Sequence, residues 1–247
     1  MSLSRISAAV FGQGSQSDEV IIWAIRLPRA LAAFAVGAAL GASGAALQGL
    51  LRNPLAEPGV LGVSASASLL ASAAIYYGLT AASPWVLPIA AIIGSLIATA
   101  IIAWAALKTD SVVTLILVGV GLSSFAGALM SLIINFAPSP FTLSDLMNWM
   151  LGSVTNRSFA DIGFAAPFMI IGLAILYGSR RGLSALTLGE EAAHGIGLDL
   201  KRQRLLTVIG AGLATGASVS LAGAIGFVGI VVPHLIRPFT GLSLIHI

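Results

Sequence analysis

Long apolar runs separated by short polar connections dominate the chain from residue 27 onward. A helix needs roughly 20 apolar residues to cross a hydrocarbon core about 30 Å thick. Several runs reach that length, and a last one is shorter and interrupted by Pro233 and His234. The pattern predicts six membrane-spanning helices and a seventh, shorter apolar segment: Leu27–Leu51, Val60–Leu79, Trp85–Leu107, Val112–Phe136, Ile162–Gly178, Leu205–Ala224 and Ile225–Phe239.

The composition supports an all-α membrane bundle. Hydrophobic residues make up 57% of the 247 positions and charged residues only 9%, whereas a soluble domain carries about 25% charged residues. No connection between the runs is long enough to hold a soluble domain, which predicts one transmembrane domain over residues 1–247. The absence of cysteine excludes disulfides, thiolate catalysis and cysteine-ligated metal sites.

The basic residues indicate topology rather than nucleic-acid binding, because they are scattered between apolar runs instead of clustered on one face. If the spans alternate in direction, the side with more basic residues is the cytoplasmic one. Membrane lipid is therefore an expected partner and nucleic acid is not. The predicted cytoplasmic side carries eight basic residues: Arg52, Lys108, Arg180, Arg181, Lys201, Arg202, Arg204 and Arg237. The external side carries four: Arg5, Arg26, Arg29 and Arg157.

Enzyme chemistry finds no support in the sequence. There is no phosphate-binding loop of the GxxxxGK[ST] kind, and no HExxH or GxSxG motif. We therefore expect no catalytic, cofactor-binding or metal-binding residues. The first four predicted spans also lack an ionisable side chain at membrane depth, which an ion-coupled carrier usually needs.

Small residues in the first span predict close helix packing. Gly37 and Gly41 have GxxxG spacing, with Gly44 one turn further along, and such residues let helices approach closely in lipid. Gln48 ends this stretch. We expect Gln48 to form a hydrogen bond between helices rather than to bind a substrate.

The polar connection 187–200, TLGEEAAHGIGLDL, predicts local structure. Thr187 and Glu190 have the spacing of a capping box, and Gly195 and Gly197 are expected to stop the helix after about two turns. A second short helix is predicted near Asp199. Two such helices would offer a compact contact for a soluble partner; the alternative is a solvated loop with incidental helicity.

Four segments of the chain form a specific set of motifs: IRLPRALAAFAVGAALGASGAALQGLLRNPLAEPGVLGVSASA at 25–67, LMNWMLGS at 146–153, TLGEEAAHGIGLDL at 187–200 and AGAIGFVGIVVPHLIR at 222–237. Together they resemble the permease subunits of bacterial ABC importers for iron–siderophore complexes, haem and cobalamin. They occur in the family's order from about Ile25 to Arg237, which makes the resemblance specific.

The resemblance implies a ten-helix permease in the bacterial inner membrane that dimerises around a central pathway. Its partners would be a second permease chain, two ATPase subunits that bind ATP and magnesium, and an external substrate-binding protein. Cargo would move inward by alternating access. In this family the RLPR motif meets acidic residues of the binding protein, a role that carries over to Arg26 and Arg29.

The family's NPLA turn contributes to a cytoplasmic gate, which places Asn53 and Leu55 there. Pro54 and Pro58 would end the helix, and Gly59 would let the chain reverse. A second gate element maps onto Ser111 and Val112, where the local match is poor.

The family's coupling helices, which seat in the ATPase, correspond to Leu188–Leu200. The residues expected there are Gly189, Glu190, Glu191, His194, Gly195 and Gly197.

Relative to the family, a span before residue 1 and two helices after the terminal GLSLIHI are expected but absent from the sequence. This leaves three functional hypotheses. The first is an ATP-driven importer permease, the second an ion-coupled secondary carrier, and the third a truncated membrane fragment that does not transport. The identity of the cargo does not follow from these residues.

Overall fold

The computed structural model describes residues 2–109 and 111–240, and within those ranges the chain is helical without a strand. The terminal GLSLIHI segment, 241–247, lies outside the described residues. The α-helices are α1 Leu3–Val10, α2 Gln16–Val20, α3 Leu27–Leu51, α4 Val63–Tyr76, α5 Val86–Lys108, α6 Val112–Asn135, α7 Pro140–Leu151, α8 Phe159–Leu186, α9 Glu190–Gly195, α10 Leu200–Ala222 and α11 Val228–Thr240.

All seven predicted apolar segments are helical, which confirms the all-α bundle. Five helices of the described chain are long and apolar enough to cross a membrane. The predicted span Val60–Leu79 is only the 14-residue α4, about 21 Å long, because Pro58 and Gly62 interrupt the helix before it. The last segment likewise forms the 13-residue α11.

The first span begins earlier than predicted. Residues Ile21–Arg26 form a π-helical segment that joins α2 to α3, so one continuous helix covers Gln16–Leu51. Pro28 explains the wider turns, because its ring lacks an N–H and crowds the carbonyl four residues earlier. Arg26 separates the apolar residues 20–25 from the predicted span, and residues 16–19 are polar, so a search for one continuous apolar run began too late.

Two further short helices were not predicted. α1 lies against the start of the long helix, where Arg5 Nη2 pairs with Asp18 Oδ1 at 2.7 Å and Trp23 Nε1 donates to the Ala9 carbonyl at 3.3 Å. α7 connects α6 to α8 and buries Leu146 and Trp149. Both helices are too short and too mixed in polarity to resemble spans.

The centre of the bundle is α10, which packs against α3, α5 and α8. Gly212 and Gly216 of α10 face Thr99 and Ser95 of α5 so closely that a Cβ at either glycine would overlap the facing side chain. Small residues at this contact allow the two backbones to approach. The predicted small-residue packing therefore also occurs in a helix where it was not expected.

The packing of α3 against α11 follows the prediction in part. Cβ atoms at Gly41 and Gly44 would meet Val232 and the Gly229 backbone, whereas a Cβ at Gly37 would meet no atom within 4 Å. Gln48 bridges the same two helices, which confirms its predicted role. Its Nε2 donates to the Gly229 carbonyl at 3.2 Å, and its Oε1 accepts from Arg237 Nη2 at 2.6 Å.

Two connecting segments, 52–62, which contains the short 3-10 helix Pro58–Leu61, and 223–227, lie against each other. The Phe227 N–H donates to Glu57 Oε2 at 3.2 Å, which joins the first segment to the start of α11. The left-handed backbone conformations of the first segment are at Arg52 (φ 47°) and Gly62 (φ 74°), not at Gly59 as predicted. Glu57 thus contacts the second segment because its carboxylate accepts a hydrogen bond from a backbone N–H.

Candidate functional site

The connection between α8 and α10 folds into one short helix at the end of the bundle that we call the coupling end. Gly189, with φ 99°, turns the chain out of α8 and precedes α9. α9 ends at Gly195, and Gly197, with φ 91°, turns the chain back. The Leu198 N–H then donates to the Ala193 carbonyl at 3.0 Å, which closes the loop.

α9 is held against the bundle by one buried contact and one ion pair. Ala193 is fully buried in the core cluster that contains Leu186 and Val208. Arg204 Nη2 lies 3.0 Å from Glu190 Oε1, and the side chain of Arg204 is 3% exposed whereas that of Glu190 is 30% exposed. The ion pair therefore joins α9 to the first turns of α10.

Two details of this loop were predicted wrongly. Thr187 forms no capping box, because its Oγ1 donates back to the Ser184 carbonyl at 2.7 Å and Gly189 takes the capping position. The second short helix is instead the start of α10: Asp199 caps it by accepting from the Arg202 N–H at 3.0 Å. One short helix, not two, stands between the spans.

The outward surface of this loop combines apolar and charged groups. Leu188 and Ile196 are each 68% exposed, and Glu191 and His194 are exposed beside them. Isolated exposed apolar residues are ordinary, but two of them flanking an anchored helix suit contact with a protein partner. Gly189, Glu190, Glu191, His194, Gly195 and Gly197 thus all lie on or beside one compact projection.

Gly189→Ala is expected to destabilise the protein by about 2 kcal/mol, because a side chain strains a backbone with φ 99°. Gly195→Ala is the matched control, since Gly195 lies within α9 and a Cβ there meets no atom within 4 Å. Thermal unfolding in detergent measures both variants. Equal melting temperatures for the two would contradict the strain at Gly189.

The predicted gate residues Asn53 and Leu55 lie in the turn after α3, also at the coupling end. Asn53 Oδ1 accepts from the Leu55 N–H at 3.0 Å, which shapes the turn. The side chain of Leu55 is 67% exposed. Leu51 and Ala56 on either side are buried in the core cluster, so the base of the turn is fixed while its tip is free.

Ser111 and Val112, the second predicted gate element, begin α6 at this same end. Ser111 caps α6 because its Oγ accepts from the Thr114 N–H at 3.3 Å. Val112 packs against the core cluster that contains Leu51 and Ala56. The structure therefore places both gate elements beside one cluster, and their gating role stays a prediction.

Arg26 and Arg29 lie on the other side of the membrane, one turn apart on the long helix and both exposed. The 25 residues of α3 rise about 37 Å, which exceeds the thickness of the hydrocarbon core. The two guanidinium groups can therefore reach water beyond the core. Docking of a partner at these residues stays a prediction.

A bundle in which five helices of the described chain are long and apolar enough to span, with one anchored projection at an end, is typical of a multi-pass membrane protein. A profile of the FecCD transport family matches residues 1–246. The chain belongs to this family and is a permease of the ABC importer class in the inner membrane. Within residues 2–109 and 111–240, no group of three or more His, Asp or Glu side chains could hold a metal ion.

Several relatives share most of the chain. The vitamin B12 import system permease BtuC of Salmonella typhi is 42% identical over 227 residues, covering 90% of this chain and 68% of that protein. The uncharacterised ABC transporter permease YvrB of Bacillus subtilis is 38% identical over 246 residues, covering 96% of this chain and 69% of that protein.

The fold also matches a solved structure. A metal-chelate type ABC transporter in an inward-facing conformation superposes with a TM-score of 0.85 at 30% sequence identity, covering 93% of this chain and 74% of that one. The chain is thus an importer permease rather than an ion-coupled carrier.

Proposed function

We propose that this permease imports a cobalamin-type corrinoid by alternating access, driven by ATP hydrolysis in separate subunits. The observation that carries the cargo class is the 42% identity over 227 residues to a vitamin B12 permease. Iron–siderophore and haem complexes are the other cargo classes that the family resemblance implies. The working assembly would contain two permease chains, two ATPase subunits and one external binding protein.

The coupling end supports a mechanical role toward the ATPase. α9 is anchored by the ion pair between Glu190 and Arg204, so a force applied to its exposed side is transmitted directly to α10. Because α10 is the helix around which α3, α5 and α8 pack, a push at α9 reaches the centre of the bundle. The gate at Asn53 and Leu55 would open on the same side, where cargo leaves toward the cytoplasm.

Arg26 and Arg29 would receive the cargo-loaded binding protein on the external side. Charge complementarity at such positions fixes orientation and speeds association more than it adds affinity. Both guanidinium groups are exposed, so acidic side chains of a partner can approach without any rearrangement of the helix.

Transport by the reconstituted full-length permease, with the ATPase and binding protein of its own genome, tests the cargo. We expect ATP-dependent accumulation of radiolabelled cyanocobalamin in proteoliposomes, with ferric siderophore and haemin as matched alternatives. Uptake should survive a protonophore and stop with vanadate. Accumulation of a ferric siderophore but not of cyanocobalamin would refute the corrinoid assignment, and uptake without ATP would refute the mechanism.

A further inference from the structure

A cavity of about 640 Å³ opens at the end of the bundle opposite the coupling end. It lies between α7, the connection 152–157, the start of α5 and the last residue of α10, and Asp145, Trp149 and Arg157 line it. It is remote from the coupling loop and from the gate turn. Nothing in the proposed transport cycle uses these three side chains.

Two buried hydrogen-bond donors at this cavity lack an acceptor. Trp149 is 6% exposed, and neither its Nε1 nor Nε of Arg157 has a hydrogen-bond partner among the described residues. A buried donor without an acceptor is costly, and native proteins rarely leave one in that state. Both residues line the same cavity, so a ligand with oxygen acceptors in this cavity is a candidate partner for both donors.

The charge of Arg157 favours an anionic ligand. Burial lowers the pKa of Arg157, and the negative charge of Asp161 partly opposes that shift; an arginine nevertheless stays protonated at neutral pH. The carboxylate of Asp161 is already used, since its Oδ2 accepts from both the N–H and the hydroxyl of Ser158. In the described part of the chain, Arg157 has no carboxylate within ion-pair distance.

The opposite charge lies on another wall of the cavity. Asp145 is exposed, and it forms no ion pair with any described residue. Leu151 lines the cavity too and is 75% exposed. Together with Met147 and Met150, which are 47% and 38% exposed, Leu151 forms an apolar surface on α7. The site therefore combines a cation, an anion and an adjoining apolar surface.

The position of the cavity matches the depth of lipid headgroups. The connections beside it are those at which α6 ends, α8 begins and α5 begins, so it lies at a membrane boundary. Tyr76, Tyr77 and Trp85 occur at this same end, and such aromatic residues concentrate at the level of the headgroups.

We propose that this cavity binds the headgroup of a zwitterionic aminophospholipid such as phosphatidylethanolamine. The phosphodiester oxygens accept hydrogen bonds from Trp149 Nε1 and Arg157, the ammonium group faces Asp145, and the acyl chains lie along the apolar surface of α7. This inference rests on the membrane location and the cavity, and it is independent of the identity of the cargo.

Native mass spectrometry of the purified full chain, titrated with phosphatidylethanolamine, phosphatidylglycerol or inorganic phosphate, tests the site. Loss of a charge-assisted hydrogen bond in Arg157→Gln should weaken phosphatidylethanolamine binding about tenfold. Trp149→Phe, which removes the indole N–H together with one of the two fused rings, should weaken it about fivefold. Asp145→Asn should abolish the preference for phosphatidylethanolamine over phosphatidylglycerol.

Arg181→Gln is the matched control, because Arg181 is an exposed arginine at the coupling end and should bind lipid as the unmodified protein does. Melting temperatures show whether the variants remain folded. Equal lipid binding by Arg157→Gln and Arg181→Gln would overturn the proposal. Displacement of bound lipid by equimolar inorganic phosphate would overturn it as well, since the site would then take a free anion.

Discussion

Gly44→Ala should destabilise the permease by ~3 kcal/mol, the upper part of the range for overpacking a tight core. A Cβ at Gly44 would overlap the backbone of Gly229, so α11 must move away from α3. That movement also stretches the hydrogen bond from Gln48 Nε2 to the Gly229 carbonyl, now 3.2 Å long. The melting temperature in detergent should fall by roughly 8 °C.

Gly37→Ala provides the control for this substitution. Gly37 lies in the same helix, two turns earlier, and a Cβ there meets no atom within 4 Å. Alanine is a better helix former than glycine, so the melting temperature should stay the same or rise slightly. A similar loss of stability in both variants would show that helix propensity, and not contact with α11, governs the effect.

Glu190→Gln should uncouple the permease from its ATPase and lower transport about tenfold, because α9 would lose the charge that holds it to Arg204. One-sided removal of a buried ion pair costs ~3 kcal/mol or more. The cost here should be smaller, ~1–2 kcal/mol, since the Glu190 side chain is 30% exposed. The measurements are ATPase stimulation by loaded binding protein and the melting temperature of the permease.

Glu191→Gln separates anchoring from partner contact. Glu191 is the next residue of α9 and is exposed, so its change should leave the melting temperature unaltered and act only on affinity for the ATPase. If Glu190→Gln left both stability and ATPase stimulation intact, the ion pair would have no part in coupling. A drop in stability with Glu191→Gln would instead mean that α9 is anchored through a different side chain.

Apolar periodicity and length were sufficient to predict the spanning helices α5 and α6 closely, whereas α10 begins at Leu200 and not at the predicted Leu205. The same criterion missed the start of the first span, because Arg26 interrupts the apolar residues there and residues 16–19 are polar. It overestimated α4, because Gly62 and Gly78, both with positive φ, lie inside the predicted run and bound the helix. Hydropathy predicts which segments are apolar enough to lie in lipid, but it does not predict where the backbone interrupts a helix.

The site was only partly accessible from sequence. The resemblance predicted a coupling loop at 187–200; its coupling role stays a prediction, and the two glycines at 195 and 197 do end α9. The partner of Glu190 could not be inferred, because Arg204 comes close only when α9 folds back onto α10. The cavity shared by Trp149 and Arg157 could not be inferred either. The two residues meet there through the tertiary packing of α7, and their spacing in the sequence matches no motif.

The connection 223–227, which meets Glu57 through the Phe227 N–H, has a consequence for the exchange of amide protons with solvent. Backbone without regular hydrogen bonding is tolerated inside a membrane protein only where protein or water surrounds it. Deuterium should therefore enter residues 223–227, which lie outside any helix, well before it enters α10, whose amides are protected by a complete helix. Local opening of the protein would thus begin at the connection between α10 and α11 and not within the central helix itself.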